Sequence, residues 1–116
     1  MRRLAITGLP GVPSDAAAAF HGEWMPQAAS ILDPSRGGEN LMIVFPLADH
    51  THTGWRLAVV QSLAREFAPA RINAVAGSDP AAIEAALVYL AGADGVTGQY
   101  LPLDSAGAGP VIPLPE

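Results

Sequence analysis

The chain contains no cysteine and no lysine. Without cysteine there is no disulfide framework, no zinc–thiolate centre and no thiol nucleophile. All six basic residues are arginines (Arg2, Arg3, Arg36, Arg56, Arg65 and Arg71), so every mechanism that needs a lysine is excluded. Charge is sparse as well, at 15% of residues, and its balance is acidic, with a net charge of −5 and a pI near 4.9. An acidic surface repels phosphate backbones, so no nucleic-acid partner is expected. No apolar run reaches the length of about 18 residues that a membrane span needs. The stretch Leu41 to Ala48 is broken by Pro46. Met1-Arg2-Arg3 precedes a few apolar residues, but Gly8, Pro10, Gly11 and Pro13 interrupt before a signal-type core forms. The expectation is a cytoplasmic protein with no membrane association.

Half of the 116 residues are hydrophobic, which is core material for one globular domain and too little chain for two. Leu4–Thr7 reads as a short buried strand ended by Gly8. Gly8 to Ser14 is a proline- and glycine-rich loop, and Ser14 or Asp15 caps a helix through Ala16–Phe20. Pro26 is expected to interrupt this helix, with a second piece over Gln27–Leu32. Leu41–Phe45 is continuous and apolar, as a strand covered on both faces should be. Gly54–Ala68 is the longest predicted helix. On its wheel Leu57, Val59, Val60, Leu63, Ala64 and Phe67 share the apolar arc. Arg71–Ala76 is a third strand. Asp79-Pro80 then marks a helix start, and Ile83, Ala86, Leu87 and Leu90 fall on one face. Gln99–Leu103 is a last strand, and Pro102 suits an edge position.

Alternation of strands and helices predicts an α/β domain over 1–104: a Rossmann-like parallel sheet of about four strands with three right-handed crossover helices. The segment 105–116 is expected to be an extended or disordered tail.

Two separated motifs carry a resemblance. Gln61-Ser62-Leu63-Ala64-Arg65-Glu66-Phe67-Ala68-Pro69, followed by Arg71-Ile72-Asn73-Ala74-Val75-Ala76, is similar to the "SLAxELAP…IRVNAVAPG" stretch of the short-chain dehydrogenase/reductase family. Tyr89-Leu90-Ala91 and Val96-Thr97-Gly98-Gln99-Tyr100-Leu101-Pro102-Leu103-Asp104 resemble that family's closing "FLAS…ITGQxLxVDGG". The resemblance covers roughly 54–104. Length leaves room for about one helix between Gly8 and Leu41, so Leu4–Thr7 corresponds to the family's fourth strand. The chain then resembles only the C-terminal half, with the cofactor-binding half absent.

The resemblance also says what is missing. The family's proton-transferring tyrosine falls at Asp49, and the lysine that lowers its pKa falls at Thr53. Neither residue can take that role, because an ionised aspartate is a poor proton donor. The loop Gly8-Leu9-Pro10-Gly11-Val12-Pro13 departs from the family's T-G-x-x-x-G-x-G, and its prolines lack N–H donors for phosphate. The resemblance therefore implies no catalytic residue, no cofactor and a pseudoenzyme. Its expected partners are a second copy in a homodimer or a dehydrogenase-type subunit.

Other readings stay open. Gly8, Gly11, Asp49, His50 and His52 could form a ligand loop beyond the strand ends, making a nucleotide or small-ligand module. Asp49, His50 and His52 could serve as repurposed acid–base groups. Histidines at i and i+2 in an extended loop point apart, and no third ligand is evident, so no metal is expected. Trp55 falls on the polar side of its helix wheel, beside Ser62 and Glu66. It is either an interface anchor or a cover for the end of the Phe45 strand.

Overall fold

The computed structural model describes residues 1–103; the tail reading for 105–116 lies outside them. The described elements are β1 (Arg2–Ala5), α1 (Pro13–Ala19), α2 (Met25–Leu32), β2 (Leu41–Phe45), α3 (Thr53–Glu66), β3 (Ile72–Ala76), α4 (Pro80–Gly92) and β4 (Tyr100–Pro102). The four strands form one all-parallel sheet in the order β1-β2-β3-β4. This is the Rossmann-like α/β architecture. Among the described residues no helix is long and apolar enough to cross a membrane.

Strand alternation sorts the side chains into two cores. Leu41, Ile43 and Phe45 of β2, with Ile72, Ala74 and Ala76 of β3, face one side. There they meet Phe20, Ala28 and Leu32 of the first helical segment and Val59, Val60 and Leu63 of α3. Met42, Val44 and Val75 face the other side and meet α4 through Leu90, Ile83, Ala86 and Leu87. Both central strands are buried along their whole length, which is why β2 reads as an unbroken apolar run and β3 is interrupted only by Asn73.

This sorting corrects one expectation. The strands advance in one direction across the sheet, yet α1–α2 and α3 lie on one face and α4 on the other. The β3–α4–β4 connection therefore has the opposite hand to the first two, so the three crossovers are not all right-handed. Crossovers of mixed hand are unusual for parallel strands, and a set of hydrogen bonds fastens the odd one. Ile72 N–H donates to the Thr97 hydroxyl at 3.1 Å, and Gly98 N–H donates to the Ile72 carbonyl at 2.7 Å. Gly98 has φ 75°, a conformation that glycine adopts without strain. The buried Asn73 amide donates to the Val96 carbonyl at 3.0 Å and accepts from Gln99 N–H at 3.0 Å. Arg71 grips the end of α4, donating to the carbonyls of Leu90, Ala93 and Ala91. A cation on the last carbonyls also suits the helix dipole.

Two further differences have local causes. The first strand pairs over Arg2–Ala5, two residues earlier than expected, with Ile6 N–H still donating to Val44. An outer strand needs no continuous apolar run, so its exposed arginines pair as well as buried residues would. The first helix also does not break ahead of Pro26. A π-helical turn over Phe20–Trp24 links α1 to α2, and Met25 N–H donates to the Phe20 carbonyl five residues back. The wider turn accommodates a residue with no N–H to give.

Candidate functional site

Parallel α/β sheets place their sites beyond the C-terminal ends of the strands. In this chain that region is built by the loops after β1 and β2 and the start of α3. The Asp49 carboxylate accepts from Thr51 N–H at 3.0 Å and from the Thr51 hydroxyl, capping a single 3₁₀ turn over His50–His52. These two bonds, the hydroxyl first, hold its pKa below the usual carboxylate value, with small help from His50 and His52. Asp49 is therefore an exposed, ionised cap.

The turn separates the two histidines. His50 is exposed, whereas His52 is buried under the loop after β1. His52 Nε2–H donates to the Gly11 carbonyl at 3.0 Å, and Nδ1 accepts from Trp55 Nε1–H at 3.0 Å. Those partners fix the neutral tautomer and occupy both ring nitrogens. No group of three potential metal ligands occurs among the described residues. Thr53, at the position of the resembled lysine, is an exposed first residue of α3.

Trp55 packs inward. Its ring lies 5.5 Å from Phe45 and 5.8 Å from Phe20, so it covers the end of the Phe45 strand while staying half-buried. At the first turn of a helix a long side chain reaches back past its own wheel position. The wheel therefore misplaced it.

The residue that sequence reasoning missed is Arg56. It is 2% exposed, with its guanidinium 4.5 Å over the Phe45 ring. Nη1 donates to the Pro46 carbonyl at 2.9 Å and to the Tyr100 hydroxyl at 3.1 Å. Nε is buried and makes no hydrogen bond among the described residues, and no described carboxylate forms an ion pair with this cation. A signal was available. Arg56, Val59, Val60 and Leu63 stand at i, i+3, i+4 and i+7, so Arg56 heads the buried stripe of its helix.

A pocket of about 370 Å³ opens here. Gly11, Asp49, His52 and Arg56 line it, with Leu9 and Leu47 among its apolar walls. Of the expected loop residues, Gly11, Asp49 and His52 come together, whereas Gly8 and His50 are not part of the lining.

The chain matches the family model of the short chain dehydrogenase-like proteins over residues 4–103. No curated protein and no solved structure matches it. That match takes in part of β1 and all of the other three strands, both flanking layers and the site at the strand ends, and the chain belongs to this short-chain-dehydrogenase-like family.

Proposed function

We propose that the chain is a non-catalytic member of its family that works by association, as a self-associating domain or as an accessory subunit of a complete dehydrogenase. The observation that carries this reading is the use of Asp49. Where the resemblance puts the proton-transferring tyrosine, an ionised carboxylate caps a turn, and the paired lysine position holds Thr53. The loop after β1 supports the same conclusion. Gly11 turns a carbonyl acceptor toward His52, and Pro10 and Pro13 bring no N–H that a phosphate could use. Association is supported by the surface. The helix α4 leaves Val88 66% and Tyr89 61% exposed, and β1 is an outer strand of the sheet.

The test has two arms. Purified protein is assayed for oxidation of NADH and NADPH with a panel of carbonyl substrates, where no turnover is expected. Turnover abolished by Asp49→Ala would refute the reading. Light scattering with and without Val88→Asp follows association. A loss of mass to the monomer in the variant is expected, and a wild-type chain that is monomeric alone and with a family dehydrogenase would overturn the association claim.

A second reading, a small-ligand module, is favoured by the pocket that joins Gly11, Asp49, His52 and Arg56. Saturable thermal stabilisation by a small ligand would select it. An enzyme with repurposed residues is less well supported, since both ring nitrogens of His52 are engaged.

A further inference from the structure

A buried cation with no ion-pair partner among the described residues needs a physical explanation. Burying a charge is costly unless it is paired and its hydrogen-bonding groups are satisfied. Arg71, a half-buried arginine, meets this requirement with three carbonyls and a nearby Asp94 carboxylate. Arg56 meets it only in part. Two bonds from Nη1 and the face of Phe45 hold the guanidinium in place, while the opposite edge, carrying Nε–H and Nη2–H, makes no hydrogen bond among the described residues. That edge offers two parallel N–H vectors, a geometry that matches a carboxylate in a bidentate pair.

From this arrangement we infer that the pocket over Arg56 binds a small organic monocarboxylate. The inference rests on the small-ligand reading and names its chemistry. Three observations support the class of ligand. The volume of about 370 Å³ lies in the range that holds small molecules. Leu9 and Leu47, the latter 48% exposed, provide apolar walls for a short hydrocarbon body. Asp49 also lines the pocket as a fixed negative charge, which repels a phosphate dianion about twice as strongly as a monocarboxylate. His52 offers the ligand no free ring nitrogen, because Gly11 and Trp55 engage both. The ligand carboxylate accepts from Nη2–H and, once the wall over the buried Nε–H gives way, from Nε–H as well, and its chain lies toward Leu9 and Leu47.

The experiment follows the arginine Nε–H signals of the ¹⁵N-labelled wild-type chain during titration with acetate, propionate and butanoate at constant ionic strength. Chloride, inorganic phosphate and NADH serve as further probes. One Nε–H signal, assigned by its disappearance in Arg56→Lys, is expected to move saturably with the carboxylates and more tightly as the chain lengthens. Arg56→Lys keeps the charge but not the fork, and is expected to weaken propionate binding at least about tenfold. Movement that does not saturate, that chloride reproduces, or that belongs to another arginine overturns the inference. Saturation by phosphate or NADH but not by carboxylates overturns it while leaving the small-ligand reading standing. Failure of every probe removes both. The chain has carboxylates of its own at Asp104 and Glu116. If Asp104→Asn or Glu116→Gln moves the Arg56 signal with no ligand added, the occupant is the chain itself and the inference fails.

Discussion

Replacing Asn73 by alanine should loosen the connection between α4 and β4. Asn73 is fully buried, and its amide does what a backbone group would do, donating to Val96 and accepting from Gln99. Truncation strands one carbonyl and one N–H. Each such group costs about 1–3 kcal/mol when it stays away from water. Gln99 is exposed and Val96 half-buried, so relaxation lets water recover part of that loss. The expected net destabilisation is about 2–4 kcal/mol. For a domain of this size that lowers the melting midpoint by about 10–20 °C.

Urea unfolding measures the magnitude, and amide hydrogen exchange locates it. Protection should fall most at Gly98 and Gln99, whose N–H groups donate into this junction. Asn73→Asp keeps an acceptor for Gln99 but sets a carboxylate against the Val96 carbonyl. It should be at least as damaging as alanine. A loss below about 0.5 kcal/mol in Asn73→Ala would refute the reasoning, because it would mean that the side chain is incidental to the junction.

Other outcomes follow from the same contacts. Arg71→Met keeps the aliphatic stem but releases three carbonyls at the end of α4, and should cost about 1.5–3 kcal/mol by urea unfolding, with Arg71→Lys restoring only part. His52→Leu removes the brace between the loop after β1 and α3. In a Trp24→Phe background the Trp55 emission should shift as its indole N–H loses its acceptor, with a stability loss of about 1–2 kcal/mol. Asp33 and Asp49 both cap short turns, and both have depressed pKa values. In Asp33 the Ser35 backbone N–H is the leading cause, followed by the Ser35 hydroxyl; in Asp49 the Thr51 hydroxyl leads. A depressed folded-state pKa stabilises the fold above the unfolded value. That stability is lost as pH falls through about 4 and below. Thermal midpoints of the double Asn variant should therefore fall less steeply than wild type over that range, and parallel acid limbs would contradict the assignment.

Most of the architecture was legible because its signals are local. Leu41–Phe45 is buried at every position, so its composition alone marks a central strand. Asp79 caps α4 by accepting from Ala81 N–H, as the Asp-Pro pair implied. Pro102 lies in β4 at the sheet edge, as its missing N–H required. What escaped was set by tertiary context. Residues Arg2 and Arg3 form a strand because β2 offers an edge to pair with, and no run of apolar residues announces it. The hand of the last crossover depends on which face α4 covers, and α4 is apolar nearly all round, with Val88 and Tyr89 left outside. At the site, spacing alone did not say which of His50 and His52 is buried, and Arg56, which the sequence left unremarked, is a core residue.

The two motifs that carry the family resemblance explain why it tells more about fold than about chemistry. Arg71, Ile72 and Asn73 belong to one motif, and Val96, Thr97, Gly98 and Gln99 to the other. In space they form a single junction. Thr97 and Gly98 bond to Ile72, Val96 and Gln99 bond to Asn73, and Arg71 holds the helix that joins them. These residues fasten the connection whose hand differs from that of the other two. A chain that keeps this topology has to keep them whatever it binds. The positions that carry chemistry in the resembled family lie at the opposite end of the strands, around Asp49 and Thr53, and contribute nothing to that fastening. They are free to change without loss of the fold, and in this chain Asp49 has become a turn cap. The topology and the positions that carry the family's chemistry therefore lie in two physically separate regions, and a test at one end says little about the other.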